Sequence, residues 1–386
     1  MEKNKVVRIT RDHRLAVIAI VRSVALLCLL ALAVFSLLRY RDSFNEASAK
    51  QLIAYMKSAS YSDVIFEKYD TDSGLNTTFA PLGVGMAVVQ SDMYSYVAGA
   101  GRVEFSHQLK YRNPVIKAQD DWALIYDSGS TGYSVVTGYA VTNTAQASGA
   151  IITGAVSESG NYAIVCKSPG YRSSVTVYSK KHKQLCSWDT PSEYIMMVSL
   201  SPDGERFATV SISSDGADMT YRLVGRNSST GELIFDKKLD INELYSLRHT
   251  SDGNLAMLSD SAFTVVDYSG AVQAQEPAFE SEAVSFCHYE QDDCLVITRG
   301  EKINTLIAMV YDKNGDIIYS EEIAGIFRDC DCRNGSVAVL LDSSLIRYNE
   351  KGAERIDGLS ARGVTSMADG TPVLVYSDRI ERVYDN

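Results

Sequence analysis

Histidine and tryptophan are scarce in this 386-residue chain, at 5 and 2 copies. That thins the supply of metal ligands and of general bases that titrate near neutral pH. Seven cysteines are too few for a small fold built on disulfides. Basic residues number 37 against 48 acids, for a net charge of -11. A general nucleic-acid binder needs a basic face to neutralise phosphates, so that class is excluded. No Gly-x-Ser-x-Gly elbow and no His-Glu-x-x-His occurs. Gly83-x-Gly85 and Gly99-x-Gly101 lack the third glycine and the following helix of a phosphate loop. With 46% hydrophobic residues, the chain is also no disordered tail.

One long apolar run is present. Leu15 to Leu38 is interrupted only by Arg22 and a few small residues. As a helix it would be about 36 Å long, enough to cross a bilayer core of about 30 Å with some tilt. Arg22 lies near one end, where its stem can snorkel to the headgroups. Ala31-Leu32-Ala33 resembles a signal cleavage site, but the run exceeds an ordinary signal-peptide core, which favours an uncleaved signal anchor. Lys3, Lys5, Arg8, Arg11 and Arg14 give the first 14 residues a net +3. The positive-inside rule keeps that end in the cytoplasm and the acidic remainder outside. The expected order is a cytoplasmic tail (1–14), a membrane helix (15–38), a helical stalk (39–60) and an outer domain (61–386). The stalk lacks Gly and Pro, and Phe44, Ser48, Leu52, Tyr55 and Ala59 follow a near-heptad spacing too short for a coiled coil.

From Tyr61 onward the pattern changes to short apolar runs between turn residues, and these runs repeat. Ser201-Pro202-Asp203-Gly204 precedes Phe207-Ala208-Thr209-Val210. Asp252-Gly253 precedes Leu255-Ala256-Met257-Leu258, and Asn334-Gly335 precedes Val337-Ala338-Val339-Leu340. The second turn residue of each copy falls at 83, 121, 160, 204, 253, 293, 335 and 370, in steps of 35 to 49. A second turn follows 17 to 27 residues later at Gly231, Gly270, Gly315 and Gly352. Two tight turns per unit of about 40 residues mean two hairpins, hence four short antiparallel strands. Units of that size bury their faces by stacking radially as propeller blades. The expectation is an all-β propeller of about eight four-stranded blades, or seven if the weak first unit is an insertion. A pair of β-sandwiches is the alternative fold. The last unit has three strands, at Val364–Met367, Val373–Tyr376 and Ile380–Tyr384. Val64-Ile65-Phe66 is therefore the expected donor of the fourth, which would close the ring and remove an edge.

The Ser201–Gly204 turn and the Thr230-Gly231-Glu232-Leu233 turn resemble those of bacterial WD-like and quinoprotein-like propeller repeats. The layout of basic tail, single span and outer propeller is similar to that of a Gram-positive bacterial family of membrane-anchored extracytoplasmic propellers. That resemblance implies the fold and a place at the cell membrane. The family has no assigned activity, so it carries no site residues over. Quinoprotein-like repeats place a Trp after the second turn. Here Phe235 or Tyr319 stands there, which speaks against a quinone cofactor.

The residues able to carry chemistry are scattered. His107, His182, His249 and His288 are isolated and read as surface or turn residues. Asp70-Thr71-Asp72-Ser73-Gly74 and Asp312-Lys313-Asn314-Gly315-Asp316 echo calcium loops without completing the ligand pattern, and read as turns. Cys287 and Cys294 flank a turn, and Cys330-Asp331-Cys332 lies one unit on. These four thiols could cluster between blades as a disulfide pair or as buried thiols. Of 23 tyrosines, 12 fall between Tyr55 and Tyr178, where strand packing is the first reading and a binding face the second. No catalytic, cofactor-binding or metal-binding set emerges. Two function classes follow: a non-catalytic binding or scaffold module for a protein or cell-envelope partner, or a propeller enzyme of quinoprotein type. The first is favoured, with Ser211–Thr220 and Ser128–Thr131 as candidate contact loops.

Overall fold

The structure is a computed structural model and describes residues 21–24, 26–28, 66–71, 77–90, 92–215, 218–260, 262–277, 283–288, 294–349 and 352–384. The chain divides into two compact units, Met1–Ile53 and Ala54–Asn386. The expected tail and stalk lie outside the described residues, as does most of the expected span. Residues 21–24 and 26–28 of that span are helical and exposed. Among the described residues no helix is long and apolar enough to cross a membrane.

The second unit is an eight-bladed propeller. One strand precedes the first blade: β1 (Lys68–Asp70). Blade 1 is β2 (Thr77–Leu82), β3 (Gly85–Gln90), β4 (Met93–Ala98) and β5 (Arg102–Gln108). Blade 2 is β6 (Pro114–Gln119), β7 (Trp122–Asp127), β8 (Gly132–Thr137) and β9 (Ala140–Gln146). Blade 3 is β10 (Ile151–Val156), β11 (Tyr162–Ser168), β12 (Tyr171–Tyr178) and β13 (Gln184–Thr190). Blade 4 is β14 (Tyr194–Leu200), β15 (Arg206–Asp215), β16 (Asp218–Asn227) and β17 (Leu233–Leu239). Blade 5 is β18 (Leu244–His249), β19 (Leu255–Ser259), β20 (Ala262–Val266) and β21 (Val272–Pro277). Blade 6 is β22 (Ala283–His288), β23 (Cys294–Arg299), β24 (Thr305–Tyr311) and β25 (Ile317–Ala324). Blade 7 is β26 (Phe327–Arg333), β27 (Ser336–Leu341), β28 (Ser344–Asn349) and β29 (Gly352–Asp357). Blade 8 is β30 (Gly363–Ser366), β31 (Pro372–Val375) and β32 (Arg379–Arg382), completed by β1. Every pairing is antiparallel between sequence neighbours except β1 with β32. The first unit is thus a full blade, and the count is eight.

The repeat frame falls where the backbone needs it. The first turn of each unit joins strands one and two of a blade, and the second joins strands three and four, so both lie at one end of the sheets. Gly204 (φ +72°), Gly253 (φ +83°) and Gly270 (φ +86°) sit in the left-handed region there, where a Cβ costs energy. Asp or Asn side chains complete the turns. Asp267 Oδ1 accepts from the Ser269 and Ala271 amides at 2.8 and 2.9 Å.

The apolar runs are continuous because both faces of the second strand are covered. On β19, Leu255 and Met257 pack toward blade 4, while Ala256 and Leu258 join Phe263, Cys294 and Val296 toward blade 6. β23 and β27 split their residues the same way. The core is therefore a set of apolar layers between sheets, as a period of two demands. Innermost strands of neighbouring blades touch all round the ring, including β2 with β30.

The closing strand corrects one expectation. The segment that pairs with β32 is Lys68–Asp70, in the register Lys68↔Glu381, Tyr69↔Ile380 and Asp70↔Arg379. Val64 and Ile65 lie outside the described residues. Phe66 is fully buried and acts as a plug, packed with Met86, Val88, Met367, Val373 and Ile380. Its amide donates to the Val84 carbonyl at 2.9 Å, ahead of the paired strand.

Candidate binding site

Two features stand out from the regular frame: the blade 4 hairpin and the central lumen. β15 and β16 have ten residues each, where other strands have three to eight. Their register runs unbroken from Arg206↔Asn227 to Asp215↔Asp218. Ser211–Thr220, expected to be a loop, is therefore a prolonged hairpin. It leaves the ring at the end opposite the Gly-rich turns. Met219 near its tip is 64% exposed.

Its base is braced. Glu193 is buried, and its Oε1 accepts from Arg222 Nη1 at 2.7 Å. Ser211 Oγ donates to Glu193 Oε2 at 2.6 Å. Arg222 also grips Asp236 with two nitrogens, Nε to Oδ1 at 2.7 Å and Nη2 to Oδ2. Hydrogen bonds from Arg222 hold the Asp236 carboxyl below its usual range. Charge-assisted forks of this kind fix geometry as well as adding energy. At the same end of the ring, Tyr171 and Tyr194 are exposed, and Arg172 lies over the Tyr194 ring at 5.3 Å.

The other proposed loop behaves differently. Ser128–Thr131 is the β7–β8 turn, and its backbone is bonded into blade 3. Gly129 N donates to Ile151 O at 3.0 Å, and Ile151 N to Ser130 O at 2.7 Å. It staples two blades together.

The lumen is a cavity of about 610 Å³ lined by the innermost strands. Lys117 on β6 and Arg248 on β18 bring positive charge to it. Lys117 is reachable by solvent yet walled by protein. Burial, and then the charge of Arg248, hold its ammonium below the ordinary lysine range. Asp331 on β26 also reaches the lining. Its Oδ2 accepts from Ser366 N at 2.6 Å and Thr365 Oγ1 at 3.1 Å, and its Oδ1 from Cys332 N at 3.0 Å. Asp329 two residues earlier caps Val364 N at 2.9 Å, so both acids clasp blade 7 to blade 8. Burial raises the Asp329 carboxyl.

The remaining sequence candidates fall into place singly. His107 is exposed, and His182 sits in a turn at φ +62°. His249 differs from expectation: it is buried, its Nδ1 lies 3.0 Å from Ser199 Oγ, and burial with nearby Arg206 depresses it to about 3. The calcium-like loop at Asp312 is a turn, because Asp312 Oδ1 already accepts from the Asn314 and Asp316 amides at 2.8 and 2.9 Å. The 70–74 loop lies largely outside the described residues. Of these four thiols, three belong to described side chains, and those three divide between two core layers. Cys287 registers with Leu295, and Cys294 with His288. Cys294 packs toward blade 5, whereas Cys330 and Cys332 pack between blades 6 and 7. Tyrosines of blades 1 to 3 pack between sheets, Tyr96 against Tyr139 at 5.1 Å and Tyr162 on Tyr178 at 5.0 Å. Among the described residues no group of three His, Cys, Asp or Glu could hold a metal.

The sequence pattern of a family of unknown function (DUF5711) matches residues 57–384. The chain belongs to that family. No curated protein matches it. Solved structures similar to it are propellers. The C-terminal WD40 domain of Sif2 is 9% identical, with a TM-score of 0.59, over 85% of this chain and 100% of that one. The Dos1 propeller is 11% identical, with a TM-score of 0.53, over 84% and 95%. BamB from Moraxella catarrhalis is 12% identical, with a TM-score of 0.49, over 82% and 96%. At these identities the likeness is one of fold alone.

The β15–β16 extension left a trace in the sequence. Met219, Tyr221 and Leu223 alternate with polar residues, the period of a strand rather than of a loop. The lumen left a fainter one: Lys117 and Arg248 stand four and five positions before the first turn of their units, inside otherwise apolar or neutral strands.

Proposed function

We propose that this protein is a non-catalytic binding module whose propeller presents the blade 4 hairpin to a protein partner. The braced hairpin carries the reading. The strand pair outgrows its blade, with Met219 near its tip exposed, yet it is fixed at its base by Glu193, Arg222 and Asp236. An exposed methionine near its tip and exposed tyrosines at the same end suit a protein surface, where aromatic residues and Met are enriched. The apolar run 15–38 and the basic residues before it support a single-pass anchor, with the N-terminus in the cytoplasm and the propeller outside. By architectural resemblance that envelope is of Gram-positive type, so the partner is an envelope or membrane protein.

The test uses the full chain in its native membrane, with a photo-crosslinking residue replacing Met219. One recurrent partner is expected, lost when residues 213–220 are replaced by a two-residue turn. Protease added outside intact cells should digest the propeller and spare the tail. A substrate screen in which turnover depends on one particular acid or His would overturn the reading.

A further inference from the structure

Rings pack the layers on either side of blades 4 and 5. Between blades 3 and 4 the Arg226 guanidinium covers the Trp188 ring at 4.3 Å, and between blades 5 and 6 Phe263 stacks on Tyr311 at 5.0 Å. Between blades 4 and 5 lies a cleft of about 310 Å³, at the lower end of the range of ligand sites. Its walls are graded. On the blade 4 side the register sets Leu223 opposite Lys237. On the blade 5 side it sets Met257 opposite Thr264, and Thr264 opposite Gln275. Each wall thus runs from a buried apolar residue to a polar one on the outermost strand. Val266 extends the apolar floor, and Val272, 51% exposed, stands at the mouth. Among the described residues the charged lining groups are Lys237, Lys238 and Asp240, and blade 5 contributes no acid.

We propose that this cleft seats an extended segment of the protein partner, one bulky apolar side chain on the floor of Leu223, Met257 and Val266 and a neighbouring carboxylate at Lys237. What borders the cleft argues for a peptide chain. β17 and β21 are the outermost strands of their sheets, each paired on one side only. Their free backbone edges suit an extended main chain, whose side chains point alternately inward and outward. The charge of the wall argues for an acid. Lys237 stands in the strand row of Phe235 and Leu239, which pack toward blade 5, in a chain whose net charge is -11. A carboxylate there takes a charge-assisted hydrogen bond, and a bulky side chain in a pocket beside it is the form an interface anchor takes. The cleft adjoins the base of the hairpin, because Lys238 pairs in the register with Arg222. The proposal rests on the reading of the protein as a protein-binding module and adds a second contact beside the hairpin.

The experiment pans the full-length protein with phage-displayed random linear peptides and titrates the recovered sequences as fluorescein-labelled probes by anisotropy. The recovered peptides should hold an Asp or Glu beside a bulky apolar residue. Val272→Arg, which puts a charge at the mouth, should weaken them at least tenfold while keeping wild-type circular dichroism. Val103→Arg, the same change at an exposed valine on the outermost strand of blade 1, should leave affinity unchanged. Replacing the peptide's acid by its amide should weaken binding to wild type at least fivefold and cost nothing in Lys237→Met. Replacing residues 213–220 by a two-residue turn should leave peptide affinity unchanged, so the cleft and the hairpin are tested apart. No recovered peptide, or peptides bound as tightly by Val272→Arg, overturns the cleft and leaves the hairpin reading standing. An equal cost of the amide in wild type and Lys237→Met overturns the carboxylate. Self-association lost in Val272→Arg, in place of peptide binding, would make a second copy of the chain the occupant and overturn the proposal too.

Discussion

Gly204 and Gly335 both adopt positive φ, at +72° and +68°, but they differ in what surrounds them. A Cβ on Gly204 would come within 2.5 Å of Asn161 Nδ2, the group that donates to the Gly204 carbonyl at 3.2 Å from the neighbouring blade. A Cβ on Gly335 would meet nothing within 4 Å. Gly335→Ala should therefore cost only the backbone strain, about 1 kcal/mol. Gly204→Ala should cost about 2 kcal/mol, because an inter-blade hydrogen bond goes too. Denaturant melts of the two variants separate the effects, and equal losses would contradict the inter-blade contact. His249 makes a second residue-scale prediction. Its folded value of about 3 lies below the ordinary 6.5, so the unfolded chain takes up the proton first as pH falls. Stability is full above 6.5 and falls by about 1.4 kcal/mol per pH unit below it, until pH nears 3. Arg206 and Asp203 face the ring with opposite effects, and the raised carboxyl of Asp329 works against the slope. The readout is therefore the difference between wild type and His249→Asn from pH 7 to 5. The variant should show the shallower loss; identical slopes would refute the buried neutral imidazole.

At the scale of elements, the first and second turns were legible because positive φ restricts the residues that can hold them, and Asp-Gly or Asn-Gly recurs wherever the chain reverses at that end. The four-residue apolar runs were legible for a similar reason, since a strand covered on both faces has no polar position to hide. The blade 4 extension was misread because Ser211, Ser213, Ser214 and Asp215 look like a loop, whereas ten consecutive backbone pairs make that segment a strand. Tertiary support overrides its weak local propensity. The support is the Glu193–Arg222–Asp236 network, whose members are 29 and 14 residues apart in pairs and form no sequence motif. Arg222→Met removes the charged donor from buried Glu193 and leaves the Ser211 hydroxyl bonded to its other oxygen. The loss should be about 2 kcal/mol, below the 3–5 kcal/mol of a fully buried pair because Arg222 is partly exposed. Glu193→Gln, which keeps an acceptor for Ser211, should cost less. Hydrogen exchange should show the β15–β16 amides opening faster in Arg222→Met, with the other blades unchanged. Exchange rates as slow as wild type would show that the hairpin stands without its brace.

For the whole molecule, the count of eight was readable from the spacing of turns, and closure from the last unit's missing strand. The lumen was not readable, because its lining comes from single residues in separate units that only the ring brings together. Closure itself rests on a short piece of chain. β1 has three residues, and Lys68 and Asp70 stand opposite Glu381 and Arg379 in the register, while the ion pairs run along each strand, Lys68 to Asp70 at 3.3 Å and Arg379 to Glu381 at 2.8 Å. Opposed positions of opposite charge contribute at most about 0.2–1 kcal/mol each, so they bias the register while most of the stabilisation comes from Phe66. That ring fills the layer between blades 8 and 1. Phe66→Ala in the full chain should cost about 3–5 kcal/mol, the range for a buried aromatic truncated in a core. Because an open ring exposes an edge of β32, the variant should also aggregate more readily than an equally destabilised substitution elsewhere in the core, such as Phe207→Ala. Charge reversal tests the register apart from the plug. Lys68→Glu places two acids opposite each other, and adding Glu381→Lys should restore the loss. If Phe66→Ala melts within about 1 kcal/mol of wild type and the paired reversal restores nothing, the seam does not hold the ring, and the three-stranded end of blade 8 must be stable as an edge.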